Sequence, residues 1–134
     1  MKVTLDTSVL IAAQISTGGV CADALRESMF GHEIILSSPI LDEFQAKLLS
    51  KFAFPAVVAA QLRQRLEVAV TIVEPVPIRR GTCRDQNDEV ILGTATAIRC
   101  DVLLSVDKDL LVLNPFEGVE IIKPGEFLRR CRIS

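Results

Sequence analysis

Asp6, Glu43, Asp88 and Asp107 are four carboxylates spread along the chain, each placed where alternating strands and helices would bring them to one edge of a sheet. Asp6 directly follows the apolar run Val3 to Leu5, and Asp107 directly follows Val102 to Val106. Asp88 precedes a helical pattern that leads into that second run, and Glu43 sits in the second turn of a helical pattern that leaves Ile34-Ile35-Leu36. Several anions in one concave site repel each other unless a cation neutralises them. Mg²⁺ and Mn²⁺ take oxygen ligands, usually one or two carboxylates completed by water and phosphate. A cation held in this way can polarise a phosphodiester and orient or deprotonate an attacking water.

Each carboxylate also has a plainer explanation. Asp88 fits an N-cap, and capping does not exclude metal contact. Glu43, with Asp42 beside it, fits a solvated helix face, and Asp107, with Asp109 nearby, fits a turn. Asp6 is the hardest to explain away. In open α/β sheets ligands bind outside the carboxyl ends of the strands, and Asp6 is the first residue past the first strand.

The elements that would position these groups follow from hydrophobic periodicity. Strands are expected at Lys2 to Leu5, Glu33 to Ser37, Thr71 to Val73, Val102 to Val106 and Val119 to Ile122. Helices are expected at Ser8 to Ala13, Val20 to Phe30 with Gly31 as C-cap, and from Pro39 with Ser38 as N-cap. In that last helix Leu41, Phe44, Leu48 and Phe52 share a face. Pro55 opens the next, with Val58, Leu62, Leu66 and Ala69 as its apolar stripe. Glu89 to Arg99, Lys108 to Val112 and Pro124 to Arg132 complete the helices, and Val76 to Asp88 reads as irregular. Short strands alternating with helical patterns imply an α/β fold, a three-layer α/β/α domain with a parallel, roughly five-stranded sheet. No repeat or linker divides the 134 residues, so one domain is expected.

Composition narrows the partners. The net charge of −2 rules out an overall electrostatic nucleic-acid binder, so such a partner would need a local basic patch or a metal. With no Trp or Tyr, base stacking on rings is disfavoured. Cys21, Cys83, Cys100 and Cys131 are dispersed and form no CxxC or Cys/His zinc spacing, which suits thiols in a reducing cytoplasm. No apolar run approaches membrane-span length and no basic start precedes an apolar leader, so a soluble cytoplasmic protein is expected.

Three stretches together resemble the PIN domain, in particular the ribonuclease-toxin type of bacterial toxin–antitoxin pairs that includes VapC. LDTSVL resembles the family's opening strand and Asp, and SSPILDEF its Glu-bearing helix. CRDQNDEVILGTATAIRCDVLLSVDKDLL pairs an Asp before an Ala-rich helix with an Asp after the next strand. The resemblance implies Asp6, Glu43, Asp88 and Asp107 as the metal-binding and catalytic cluster. Asp85 and Asp109 are second-line acidic candidates, and Thr7 and Ser105 stand at adjoining hydroxyl positions. It further implies Mg²⁺ or Mn²⁺ as cofactor, RNA as substrate, a cognate antitoxin and a homodimer. Ser105 and Val106 stand where many relatives carry Thr and Gly, and Gln86 and Asn87 replace a common Pro and basic residue.

Other chemistries fit less well. His32, the sole histidine, precedes the second strand and so lies at the opposite sheet edge, which disfavours a histidine base or a Ser–His–Asp triad. A phosphatase of the haloacid dehalogenase type needs a second Asp two residues after the first, where this chain has Ser8. A phospho-receiver domain would explain Ile121-Ile122-Lys123-Pro124, but it needs paired acids after strand one and an Asp after strand three, where Glu74-Pro75 stands. A PIN fold acting only as a binding module is the remaining alternative. Arg79, Arg80 and Arg84 enter the acidic region on a loop and suit backbone phosphate contacts. Arg129, Arg130 and Arg132 are explained equally well by a basic helix end.

Overall fold

The strands β1 (Lys2–Leu5), β2 (Glu33–Leu36), β3 (Thr71–Ile72), β4 (Val102–Leu104) and β5 (Glu120–Ile122) form one parallel sheet in the order β3-β2-β1-β4-β5. This is a computed structural model, and it describes residues 1–133. Three consecutive residues are buried in each of β1, β2 and β4. Successive strand residues point to opposite faces, so both faces of the sheet are covered, as parallel sheets require. The covering helices are α1 (Thr7–Ile15), α2 (Val20–Gly31), α3 (Ser38–Ser50), α4 (Ala56–Ala69), α5 (Gln86–Ala97), α6 (Lys108–Leu111) and α7 (Pro124–Ile133). Val3, Leu5, Ile34, Ile35, Phe44, Leu48, Leu103 and Phe127 anchor one continuous hydrophobic core.

The strand order sets the location of the site. The chain leaving β1 moves toward β2, whereas the chain leaving β4 moves to β5 on the other side. The carboxyl ends of β1 and β4 therefore flank a topological switch point, where open α/β sheets form their binding crevice.

Several boundaries differ from the sequence reading. α5 starts at Gln86 because the Asp85 side chain accepts from the Asn87 N–H at 2.9 Å, so Asp85 is the N-cap and Asp88 sits inside the first turn. Ser37 rather than Ser38 precedes α3, and Gly31 is still helical with His32 as C-cap. α3 stops at Ser50, the chain then turns through Ala53 at φ 54°, and Phe52 is left 39% exposed. In α4 the buried residues are Ala59 and Leu66, with Leu62 half-buried, so the stripe is rotated and Val58 and Ala69 face outward. β3 is a two-residue exposed edge strand, and β4 ends at Leu104, leaving Ser105 and Val106 beyond the sheet.

Candidate active site

Asp6 is fixed by the strand it ends. Its N–H donates to the Leu104 carbonyl at 2.9 Å, which extends the β1–β4 pairing by one residue. Its carboxylate is 3% exposed and caps α1. Oδ2 accepts from the Ser105 hydroxyl at 2.8 Å. Burial raises the Asp6 carboxyl pKa; the Ser105 and Ser8 hydrogen bonds lower it, and the charges of Asp107 and Glu43 raise it further.

Ser105 joins the two halves of the site. Fully buried, its Oγ donates to Asp6 and accepts from the Asp107 N–H at 3.0 Å. One hydroxyl thus sets the separation between the turns after β1 and β4. Asp107 caps α6, with Oδ1 accepting from the Asp109 N–H at 2.9 Å.

Asp88 is 7% exposed and approaches from the first turn of α5. Its pKa is pushed up to about 7, chiefly by burial, then by the charges of Asp107, Asp6 and Asp85, and by a hydrogen bond shared with Asp107. Two carboxyls in such contact hold a proton between them unless a cation replaces it. Carboxylate oxygens of Asp88, Asp107 and Asp109 all lie within 4.8 Å of one another.

The remaining sequence candidates fall around this centre. Glu43 is near enough for its charge to act on Asp6, and it has Lys47 Nζ at 3.9 Å. Asp109 has Arg84 Nε at 3.8 Å across an exposed pair. Asp85 serves as the α5 cap at the exposed rim. Thr7 is buried beside Asp6, and its Oγ1 is the buried side-chain polar atom without a hydrogen-bond partner among the described residues. Arg79, Arg80 and Arg84 are exposed. Arg80 lines an open groove with Pro75, Pro77, Ile78 and Gln86.

Cys83 is a neighbour that sequence reading passed over as one of four scattered thiols. It is buried, and its pKa is pushed up to about 11 by burial and then by Asp88, Glu89, Asp107 and Asp109. Its N–H donates to Glu89 Oε2 at 3.0 Å, which secures the loop to α5. Only its position two residues before Asp85 hinted at this, and a single cysteine carries no spacing pattern.

The donor set suits a hard divalent cation. Its ligand atoms are all oxygen, its carboxylates repel when ionised, and a buried hydroxyl beside Asp6 lacks a partner. One consequence can be measured without any substrate. Asp88 keeps its proton in the fold to about pH 7 but loses it near 3.8 when unfolded. The folded state therefore binds more protons between those values, and Asp88 makes folding progressively less favourable as pH rises through that window. In chelator, Asp88→Asn should melt increasingly above wild type across this interval, and added Mg²⁺ should close the gap at its upper end. Melting curves against pH check this; a gap that stays constant counts against the coupling.

An acidic cluster thus stands at the switch point of a parallel α/β sheet, the position at which such sheets bind ligands. The family model described as PIN domain matches residues 2–109, and the chain belongs to the PIN-domain family, a family of nucleases. Solved structures share the fold at low identity. The VapBC-1 structure from nontypeable Haemophilus influenzae matches with TM-score 0.68 and 14% identity over 93% of this chain and 99% of that one. VapBC2 from Rickettsia felis, bound to a DNA fragment from its promoter, matches with TM-score 0.65 and 16% identity over 90% and 98%. VapC20 of Mycobacterium tuberculosis, described as a Sarcin-Ricin loop cleaving toxin, matches with TM-score 0.61 and 17% identity over 88% and 98%. No curated protein matches the chain in sequence.

Proposed function

We propose that this chain is a single-domain, divalent-cation-dependent endoribonuclease, the toxin of a toxin–antitoxin pair acting in the cytoplasm. The observation that carries the reading is the meeting of Asp88 with Asp107, whose backbone is tied to Asp6 through one buried serine. Asp88, Asp107 and Asp109, whose carboxylate oxygens cluster, would hold Mg²⁺ or Mn²⁺ together with Asp6 across Ser105, and Glu43 would stand at the rim. When bound, the cation supplies a polarised phosphate and an activated water. The chain's own part is to fix the acids before substrate arrives. Ser105 orients Asp6, the α6 cap orients Asp107, and the α5 first turn brings in Asp88. Arg84, Arg79 and Arg80 would steady the RNA backbone without reading sequence.

A protein partner is supported by the surface. Ile15 and Phe52 are exposed beside Ile11, Ala12, Lys47 and Lys51 in a cleft between α1 and the end of α3. Exposed apolar surface rimmed by charge is a feature of interaction sites. Solved relatives include VapBC structures, which supports a cognate antitoxin here, and a homodimer is part of the same reading. Among the described residues no single helix is long and apolar enough to cross a membrane.

The test is cleavage of structured and unstructured RNA by purified protein in Mg²⁺, in EDTA, and after Mg²⁺ is restored. Cleavage in Mg²⁺, its loss in EDTA and its return are expected. RNA binding without cleavage would support the binding module instead, and phosphate release from a small phosphomonoester would support a phosphatase.

A further inference from the structure

The edge of the sheet opposite the acidic crevice carries a second cluster with different donors. Glu27 lies in the last turns of α2, His32 is its C-cap, and Cys131 comes from α7. Cys131 Sγ lies 3.6 Å from His32 Nε2, and Glu27 Oε1 lies 3.6 Å from the same nitrogen. One ligand atom from each of the three falls within 4.8 Å of the others. A tetrahedral ion with bonds of about 2.0 Å to nitrogen or oxygen and about 2.3 Å to sulfur sets its ligand atoms roughly 3.3–3.6 Å apart. The two distances to Nε2 therefore match edges of such a site, and the third separation lies within 4.8 Å.

The imidazole is held for this role. Phe127, fully buried, meets the His32 ring edge-on at 5.3 Å between centroids. Nδ1 is 3.0 Å from the Met1 amine, so Nε2 is the nitrogen that faces the thiol and the carboxylate. Metal on Nε2 places the ring proton on Nδ1, so the Met1 ammonium, which donates to Nδ1 in the metal-free fold, must also release a proton to solvent or turn away. The side chain of His32 is 14% exposed and that of Glu27 is 42% exposed, so an ion can enter from solvent and a water can take the fourth corner. Cys131 also lies beyond residues 2–109, the stretch that the PIN-domain model matches, so the triad is completed by this chain's own C-terminal helix.

We propose that Glu27, His32 and Cys131 form a binding site for a borderline-soft divalent transition metal of the Zn²⁺ class. A mixed S, N, O set selects such ions over Mg²⁺, which demands oxygen ligands. On binding, the thiol gives up its proton to solvent and a metal–thiolate bond forms. The two negative ligands then balance the ion's two positive charges. Because the ligands come from α2 and α7, the ion clips the C-terminal helix to the body of the domain.

Co²⁺ is the probe, added to the full chain in buffer with excess Mg²⁺. Wild type should give a thiolate-to-cobalt charge-transfer band at one equivalent, and Zn²⁺ should abolish the band and raise the melting temperature. Cys131→Ser should lose the band and the Zn²⁺-dependent rise while its Mg²⁺-dependent RNA cleavage is unchanged. His32→Ala and Glu27→Gln should bind more than about tenfold more weakly, since even loss of an outer-shell partner costs tenfold or more. Cys83→Ser, with its thiol at the acidic edge, should give the same cobalt charge-transfer band as wild type. The proposal is overturned if wild type gives no band, if the band survives in Cys131→Ser, or if Cys83→Ser alone removes it. If Cys131→Ser does not fold, Glu27→Gln, at an exposed position, decides: unchanged Co²⁺ affinity overturns the site. RNA cleavage by wild type is scored separately, so failure of the ribonuclease reading leaves this result independent.

Discussion

Asp6→Asn is expected to lower Mg²⁺-dependent RNA cleavage by at least about a hundredfold, because loss even of groups that only support a metal ligand costs ten- to a hundredfold. The protein should remain folded. Asn keeps the shape of Asp and can still accept from Ser105 Oγ, so the link to the Asp107 turn persists. It also removes a buried anion whose protonation is favoured by burial and by the charges of Asp107 and Glu43. In chelator the variant should therefore melt no lower than wild type, which separates a chemical defect from a folding one. Circular dichroism and single-turnover cleavage of the same preparation make the comparison. Cleavage at the wild-type rate by pure Asp6→Asn would exclude Asp6 from the reaction.

Gly93→Ala should destabilise the fold by on the order of 2 to 3 kcal/mol, the upper part of the range for overpacking a well-filled interior. Alanine is intrinsically favoured over glycine in a helix by about 1 kcal/mol, so propensity alone predicts the opposite sign. Space decides the matter. A Cβ at Gly93 would stand 2.3 Å from the Val76 carbonyl oxygen and 3.4 Å from its carbon. These are backbone atoms and cannot swing aside as a flexible side chain would. The Val76 N–H also donates to the Gly93 carbonyl at 3.0 Å, so relieving the clash strains that hydrogen bond. The contact seats the irregular segment between β3 and α5 against the helix that carries Asp88. Chemical denaturation should show a lower midpoint at unchanged slope, and cleavage should fall because Asp88 moves with α5. An unchanged midpoint would mean that the segment yields without cost.

Asp6 and Asp107 were legible because each follows an apolar run that can only be a buried strand. Parallel topology then brings those strand ends to one edge. Asp88 lies at the start of α5 as the sequence implies, but in the first turn rather than at the N-cap. Asp85 and Asp88 both suit the start of α5, and only the bond from the Asn87 N–H to Asp85 decides which one caps. The part played by Ser105 could not be read in advance. Its two partners, Asp6 and the Asp107 N–H, meet only through the β1–β4 pairing. The same holds for Cys83 and for the Glu27–His32–Cys131 triad, whose members are dispersed and have no metal-site spacing. In α4 Leu66 and half-buried Leu62 face the core as expected, whereas Ala59 takes the place of Val58 and Ala69 is exposed, because Val57, Val58 and Val68 give the outer side an apolar composition too.

The central claim is that a single carboxylate site both binds the cation and carries out the cleavage. Its most direct measurement is a paired titration with Mn²⁺, with bound ion read by electron paramagnetic resonance and RNA cleavage read in the same samples. For wild type the two curves should superimpose. For Asp107→Asn, at the carboxylate that contacts Asp88, both should shift together to higher Mn²⁺. Cleavage that reaches its maximum before Mn²⁺ is bound, or binding in Asp107→Asn that matches wild type, would contradict the account.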